Sequence, residues 1–403
     1  MSKLESLLQE LCPDGVEHKP LKDIAIKMFR GSGIKRTDLT ETGIPCVRYG
    51  EIYTTYGVWF DTCVSHTVLE NNPSPKYFEN GDILFAITGE KIEEIAKCTA
   101  YVGHEQCMAG GDLVVMKHNQ NAKYLSYVLS TTDAQQQKSK GKVKSKVVHA
   151  SLADIQNIVI PVPPLPVQEE IVRILDQFTQ TEMELQNKIS AEIEARKKQH
   201  DYYKKKLLSF GKNVEWKTLG DVGKVSMCKR IMKAETSTTG DIPFYKIGTF
   251  GKEPDAFISK ETFEKYKAKY SYPKKGDILI SAAGTIGRTV VFDGEPAYFQ
   301  DSNIVWIAND ENMVLNQFLY YYYQLQPWKA SEGGTISRLY NDNISKAKIP
   351  VPTIEEQKWI IGKLNQVEPV FDTLVSELTA ELSARQTQYE YYRDKLLTFK
   401  ARA

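Results

Sequence analysis

Between about Pro166 and Phe210, apolar residues fall at Ile171, Leu175, Phe178, Leu185, Ile189 and Ile193, and Glu, Gln, Lys and Arg fill most of the positions between. Gaps near three and four are the period of one helix face, so the stretch predicts a long helix with a narrow apolar seam. The pattern returns from Glu355 to Phe399, displaced by 189 residues, on Ile360, Leu364, Val367, Phe371, Leu374, Leu378 and Leu382. Single residues recur as well. Arg196, Gln199, Tyr202, Tyr203, Lys206, Leu207, Leu208 and Phe210 match Arg385, Gln388, Tyr391, Tyr392, Lys395, Leu396, Leu397 and Phe399. A seam this narrow needs a partner, and each copy can serve the other. The pattern therefore predicts an intramolecular two-helix coiled coil; two separate helices, each lying on its own domain, are the plainer alternative. About 45 residues at about 1.5 Å each give roughly 65 Å, a natural length for a spacer. Glu182 interrupts the first seam where Phe371 continues the second.

Outside these helices the pattern shortens. Runs such as 44–53 (IPCVRYGEIY), 82–88 (DILFAIT), 242–248 (IPFYKIG) and 277–283 (DILISAA) are apolar, rich in β-branched and aromatic residues, and bounded by Gly, Pro and Asn. They predict strands. Helix-like segments follow at Tyr124–Leu129 and at Phe318–Tyr323, where a run of tyrosines reads as helix core and rim. The strand-rich parts also repeat. Residues 16–25 resemble 214–223, Gly81-Asp82-Ile83-Leu84 recurs as Gly276-Asp277-Ile278-Leu279, and Ile160-Pro161-Val162-Pro163 recurs as Ile349-Pro350-Val351-Pro352. The displacement drifts from 198 through 195 to 189. That drift is a tandem duplication of two diverged mixed α/β units rather than a short solenoid repeat. Prolines at 161, 163, 164 and 166, and at 350 and 352, stop each closing strand before its helix. The C-terminus resembles the left half of the central junction and the N-terminus its right half. The two chain ends are therefore expected to meet in a pseudo-twofold closed loop.

Composition narrows the function by exclusion. The chain has 403 residues and a formal net charge of +1, so any nucleic-acid contact must come from local basic patches. No stretch of 18 apolar residues exists, and the N-terminus lacks the apolar core of a secretion signal. The six cysteines form no CxxC pair and read as reduced thiols of a cytoplasmic protein. There is no phosphate-binding GxxxxGK[ST], no GxGxxG after a strand, no amino-methyltransferase tetrapeptide, no HExxH and no Cys/His metal cluster. Gly31-Ser32-Gly33 reads as a turn.

The basic features carry more. Lys138, Lys140, Lys142, Lys144 and Lys146 alternate, and no acid occurs from Ala134 to Ala153. On an extended segment these lysines would line one side and track phosphates; a solubilising loop is the bland alternative. The comparable place in the second repeat holds Thr335, Ser337 and Arg338 after two glycines. Other candidates for DNA contact are Lys35 and Arg36, Arg48 and Tyr49, Lys229 and Arg230, Lys246, and Thr285 and Arg288 in the loop after the second GDIL strand. Arg and Lys can bond guanine edges, and Ser, Thr and Tyr can reach bases or phosphates.

The tandem repeats, the paired GDIL strands, the IPVP turns before QEE and EEQ, and the YY-x-x-KLL helix ends together resemble the specificity subunit of type I DNA restriction-modification enzymes. The likeness covers the whole chain and is nearest to the IC class. It implies two target-recognition domains (1–165 and 211–353) and two conserved helices (166–210 and 354–403) in an antiparallel coiled coil. It implies no catalysis and no cofactor in this chain. Partners would be double-stranded DNA, two methyltransferase subunits binding S-adenosylmethionine, and two motor-nuclease subunits using ATP and Mg. Each domain would read half of a bipartite site, with helix length setting the spacer. The repeats diverge after GDIL, with Ala86-Ile87-Thr88-Gly89-Glu90 in one and Ser281-Ala282-Ala283-Gly284-Thr285 in the other. Diverged readers imply an asymmetric target. Two other classes stay open on the residues alone: a coiled-coil interaction scaffold without DNA specificity, and a self-contained DNA methyltransferase or nuclease.

Overall fold

The short apolar runs do form strands, and the two seamed stretches form the two longest helices of a computed structural model describing residues 2–71, 74–142, 147–329 and 338–402. The chain divides into two compact units, Met1–Ser190 with Thr379–Ala403, and Ala191–Leu378.

Unit 1 starts with α1 (Lys3–Leu11), whose Ser2 and Glu5 close a capping box. Its strands are β1 (His18–Pro20), β2 (Ala25–Arg30), β3 (Leu39–Thr40), β4 (Ile44–Val47), β5 (Trp59–Phe60), β6 (Ser65–Thr67), β7 (Tyr77–Phe78), β8 (Ile83–Ala86), β9 (Cys98–Tyr101), β10 (Cys107–Ala109) and β11 (Leu113–His118), besides a short antiparallel pair of Thr88–Gly89 with Val148–His149. Helices α2 (Ala122–Leu129) and α3 (Thr132–Ser139), strand β12 (Val159–Pro161) and the long helix α4 (Leu165–Leu207) follow. One five-stranded sheet runs β2-β11-β8-β9-β5 and a second runs β3-β6-β4-β10-β7, while β1 pairs with β12. The predicted strand 44–53 is only half strand. It ends at Val47, and Tyr49–Thr54 is helical because the Glu51 carboxylate accepts the Arg48 N–H at 3.0 Å and caps the turn.

Unit 2 repeats the plan with β13 (Glu215–Thr218), β14 (Gly223–Ser226), β15 (Ile242–Tyr245), β16 (Phe257–Ile258), helix α5 (Lys260–Lys269), β17 (Ile278–Ser281), β18 (Thr289–Val291), β19 (Tyr298–Phe299), β20 (Ile304–Asn309), helix α6 (Asn316–Tyr323), β21 (Lys348–Val351) and the long helix α7 (Ile354–Leu397). Its sheets run β14-β20-β17-β18 and β16-β15-β19, and β13 pairs with β21. Each unit has two cores. One lies between its sheets, and the other packs the sheet containing β8 or β17 and the α2 or α6 helix against a long helix. Tyr321, Tyr322 and Tyr323 are buried in the latter core, as the pattern predicts.

Helix pairing is antiparallel in each unit. In unit 1, Phe178 stacks on Tyr389 with centroids 5.5 Å apart, and Gln186 donates to Gln386 at 2.9 Å. In unit 2, His200 stacks on Phe371 at 4.2 Å, and Lys204 reaches Glu368 at 2.5 Å. In both, partner numbers fall as α4 numbers rise. Pro369 sits inside α7. The chain ends also meet within unit 1: the Val16 N–H donates to the Lys400 carbonyl at 2.9 Å, and the Arg402 N–H donates to the Val16 carbonyl at 3.0 Å.

A buried glutamine ties each long helix to its own unit. Gln168 Nε2 donates to the Pro163 carbonyl at 2.7 Å, and its Oε1 accepts the Asn121 N–H at 3.0 Å. Gln357 Nε2 donates to the Pro352 carbonyl at 2.9 Å, and its Oε1 accepts the Leu315 N–H at 2.8 Å. A buried amide placed this way satisfies both the turn before the long helix and the start of α2 or α6. Tyr127 donates to Asp176 at 2.9 Å, and Tyr321 donates to Asn365 at 2.6 Å, about two turns further along.

Candidate nucleic-acid interface

In unit 2, the end of β15, the loop between β19 and β20, and the residue opening the segment before Leu339 surround a cleft of about 580 Å³. Three candidates from sequence, Arg230, Lys246 and Arg338, line it together with Lys233. Four cations face two acids there, Asp255 and Asp301. The excess of two positive charges suits a polyanion.

Three of the four cations, Arg230, Lys246 and Arg338, are held in place. Arg230 Nε lies 2.9 Å from Asp301, yet the arginine side chain is 65% exposed, so most of its fork faces solvent. Lys246 pairs with Asp255 at 2.8 Å. Arg338 donates to the Ser302 carbonyl at 2.8 Å and to Asn303 Oδ1 at 3.1 Å. Gln300 accepts the Ile247 N–H at 2.9 Å. Positioned guanidinium forks beside side-chain amides are the groups that bond base edges and phosphates. Gln300, Asn303 and Lys233 were not among the sequence candidates. The signal was available: Gln300-Asp301-Ser302-Asn303 is a polar run between two apolar strands.

Among the described candidates of unit 2, Lys229, Thr285 and Arg288 do not line this cleft. Lys229 lies over the Tyr270 ring, 5.5 Å from its centroid. Arg288 donates to the Phe250 carbonyl at 3.0 Å, and the Ser281 hydroxyl donates to the Thr285 carbonyl. Both belong to the turn built on Gly284 and Gly287, whose φ angles are +66° and +75°. Thr335 and Ser337 lie outside the described residues.

Unit 1 is built differently at the matching place. Gly31 approaches Gly110 so closely that a Cβ on Gly31 would sit 2.1 Å from the Gly110 carbonyl oxygen, and Ser32 bridges to Gly110. Arg30, which sequence reasoning missed, donates to the Gly111 carbonyl at 2.7 Å and to Asp112 at 2.6 Å. Lys35 and Arg36 enter a one-turn 3₁₀ helix whose Asp38 accepts the Lys35 N–H at 2.8 Å. Arg48 Nε is 3.6 Å from Glu51, and Tyr49 is exposed.

The alternating lysines do not lie on an extended segment where they are described. Thr131 accepts the Ala134 N–H and starts α3, so residues 132–139 are helical. Lys138 is buried, with Nζ donating to the Leu129 carbonyl at 2.6 Å, which closes the end of α2. Burial pushes its pKa below the usual lysine value. Lys138 is therefore a structural residue and not a surface contact. Lys142 pairs with Asp154 at 2.6 Å, and Lys140 is exposed at the end of α3. Lys144 and Lys146 fall outside the described residues.

The chain matches the family model described as "Type I restriction modification DNA specificity domain" twice, over residues 13–195 and 211–384. A Haemophilus influenzae protein named as a type I restriction enzyme specificity subunit is 54% identical over 263 residues, 64% of this chain and 68% of its own. The EcoR124I/EcoR124II specificity subunit of Escherichia coli is 30% identical over 266 residues, 60% of this chain and 63% of its own. Two solved structures share the fold. One, from work on complex assembly and conformational transition of a type I R-M system, has a TM-score of 0.76 at 18% identity, covering 96% of this chain and 98% of that one. The other, the HsdS subunit from Thermoanaerobacter tengcongensis, has a TM-score of 0.53 at 17% identity, covering 96% of each chain. Among the described residues, no helix is long and apolar enough to cross a membrane. With two copies of the domain spanning most of its length, the chain belongs to the type I restriction-modification DNA specificity family.

Proposed function

We propose that this chain is the non-catalytic specificity subunit of a type I restriction-modification complex and that unit 2 reads DNA through its cationic cleft. The observation that carries the reading is the convergence of Arg230, Lys233, Lys246 and Arg338 on one cleft beside Gln300 and Asn303. Unit 1 reads a different half-site, because Gly110, Gly111 and Asp112 stand where unit 2 places the polar 300–303 loop. The target is then asymmetric and bipartite, and the length of α4 and α7 sets the unread spacer. Adenine methylation and DNA translocation are supplied by partners: two methyltransferase subunits carrying S-adenosylmethionine and two motor-nuclease subunits using ATP and Mg. No cofactor resides in this chain, which works in the cytoplasm.

The test is to map N6-methyladenine in DNA from cells carrying this chain with its methyltransferase subunit. One asymmetric bipartite motif is expected, lost when the chain is deleted. Arg230→Ala with Lys246→Ala should relax or abolish one half of the motif and leave the other unchanged, at about 1–3 kcal/mol per lost base contact. A motif that survives deletion of the chain would give the DNA-indifferent scaffold precedence. A motif altered in both halves by the unit 2 variant would separate the cleft from half-site reading.

A further inference from the structure

The sheet β2-β11-β8-β9-β5 of unit 1 has five strands, and its counterpart β14-β20-β17-β18 in unit 2 has four. The missing strand is the edge one. In unit 1, β5 adds parallel to β9, pairing Trp59 with Ala100 and Phe60 with Tyr101. The Ala100 N–H donates to the Val58 carbonyl at 3.0 Å, and the Val102 N–H donates to the Phe60 carbonyl at 2.9 Å.

The register identifies the same position in unit 2. Tyr101 exchanges backbone bonds with Gly81 and Asp82, and Phe292 exchanges them with Gly276 and Asp277. Val291 therefore stands where Ala100 stands, and Asp293 where Val102 stands. Among the described residues no strand lies on the outer side of β18, and neither the Val291 nor the Asp293 N–H donates a hydrogen bond to a backbone or side-chain acceptor. Val291 is 45% exposed. An open edge with two outward donors two residues apart is a template for another extended chain.

The space beneath this edge also differs. In unit 1, the Phe60 side chain fills the gap between the sheets, with its ring 4.1 Å from Tyr56 and 5.1 Å from Tyr101. In unit 2, a pocket of about 370 Å³ opens there, walled by Tyr245, Phe250, Leu279, Val290 and Phe299. Its rim carries Glu253, Asp293 and Glu295 against Lys252 alone. Glu253 and Asp293 line the pocket with Tyr245, and burial, followed by these two carboxylates, raises the pKa of the Tyr245 hydroxyl. An acidic rim repels phosphates, so this edge belongs to a different partner from the cationic cleft.

We propose that the β18 edge and its pocket seat an extended segment of a partner protein, added parallel to β18, with an aromatic side chain in the pocket and a basic residue against the acidic rim. Unit 1 supplies the occupant's shape, since Gly57-Val58-Trp59-Phe60 fills the matching seat from within the chain. Backbone bonds would give the affinity, and the pocket and rim the specificity. The inference does not depend on DNA reading by the cleft.

The probe is a labelled synthetic peptide covering residues 57–62 with the change Asp61→Lys, titrated into the full-length chain by fluorescence anisotropy. Saturable binding in the range of about 10 μM to 1 mM is expected. Val291→Pro removes one outward donor at a site where an edge strand tolerates proline, and should weaken binding at least about tenfold. If that variant does not fold, Glu253→Lys with Glu295→Lys serves instead. It should weaken binding of the lysine peptide and strengthen binding of the peptide retaining Asp61. No saturable binding, or binding indifferent to both variants, overturns the proposal. Displacement of the peptide by duplex DNA would assign the edge to the nucleic-acid surface and overturn it. Self-association of the chain abolished by Val291→Pro would assign the seat to a second copy and overturn it as well.

Discussion

Unit 1 and unit 2 hold their long helices by the same bonds and differ where their loops end. Gln168 and Gln357 do the same work with the same atoms, and Tyr127 and Tyr321 each send a hydroxyl to the residue at the same helical position, Asp176 or Asn365. The differences gather at the 110–112 and 300–303 loops and at the β5 or β18 edge. A buried polar group tolerates few replacements, because losing its partner leaves another group unsatisfied. A loop end facing solvent has no such constraint. The contrast separates what the duplicated frame needs from what each copy is free to change.

The most forceful way to break the comparison is to give unit 1 the pocket of unit 2. Phe60 is buried among Tyr56, Phe78 and Tyr101. Phe60→Ala should cost about 3–4 kcal/mol in urea unfolding, from lost burial plus the cavity left behind. A cost below about 1 kcal/mol would mean the sheets close over the gap. The open pocket of unit 2 would then reflect no difference in packing between the copies.

Gln168→Ala and Gln357→Ala come next, at about 2–3 kcal/mol each, because each leaves a buried carbonyl and a buried N–H unpaired. The two sites belong to separate units, so their costs should add within about 0.5 kcal/mol in the double variant. A large cost in one unit and none in the other would show that the shared geometry does not carry shared energy.

These residues also mark how far the sequence could be read. The helix seams were legible because a period near 3.6 survives without knowledge of the fold, and the duplication was legible because GDIL and IPVP recur intact. Gln168 and Gln357 lay inside the QEE and EEQ strings, but nothing local indicates that they turn inward to bond a distant loop. Alternating lysines suggest extended chain, yet Lys138 is helical, because Thr131 at the N-cap and the run Ala134-Gln135-Gln136-Gln137 favour a helix. Of the site, single cations were legible and their grouping was not. Arg230, Lys246 and Arg338 meet only because the stretch after β14, the end of β15, the 300–303 loop and the residue before Leu339 converge. Nothing in sequence spacing separates them from Arg288, which bonds Phe250 instead.

Lys138 offers a smaller effect with a defined pH signature. Lys138→Met should stabilise unit 1 by about 1 kcal/mol near neutral pH, since it removes a buried charge at similar volume while giving up the bond to Leu129. Burial lowers the folded-state pKa of Lys138 below its ordinary value, against an opposing effect of Cys98 and with the nearby Arg393 acting in the same direction. On raising the pH, the folded chain loses this proton before the unfolded chain does. Wild-type stability therefore gains with pH in that window, and the advantage of the methionine variant should shrink toward the ordinary lysine pKa. An advantage that stays constant on the alkaline side would mean that Lys138 keeps its proton, held by the Leu129 carbonyl.

The smallest effect separates the two helix pairings. At corresponding positions, Tyr389 shares a hydrogen bond with Thr179 at 2.9 Å in unit 1, and His200 faces Glu368 at 3.4 Å in unit 2, with Lys204 at 2.5 Å from the same carboxylate. The Lys204 and Glu368 side chains are 11% and 25% exposed, so their attraction is only partly screened by water. Glu368→Gln should cost about 1 kcal/mol at low salt and less at high salt. Thr179→Val should cost about 1 kcal/mol at any salt concentration, because a neutral hydrogen bond is not screened. If both costs ignore salt, the Lys204–Glu368 pair adds no net energy. The stacked rings, Phe178 on Tyr389 and Phe371 on His200, would then hold both pairings alike, and the divergence between the copies would be confined to their loops and sheet edges.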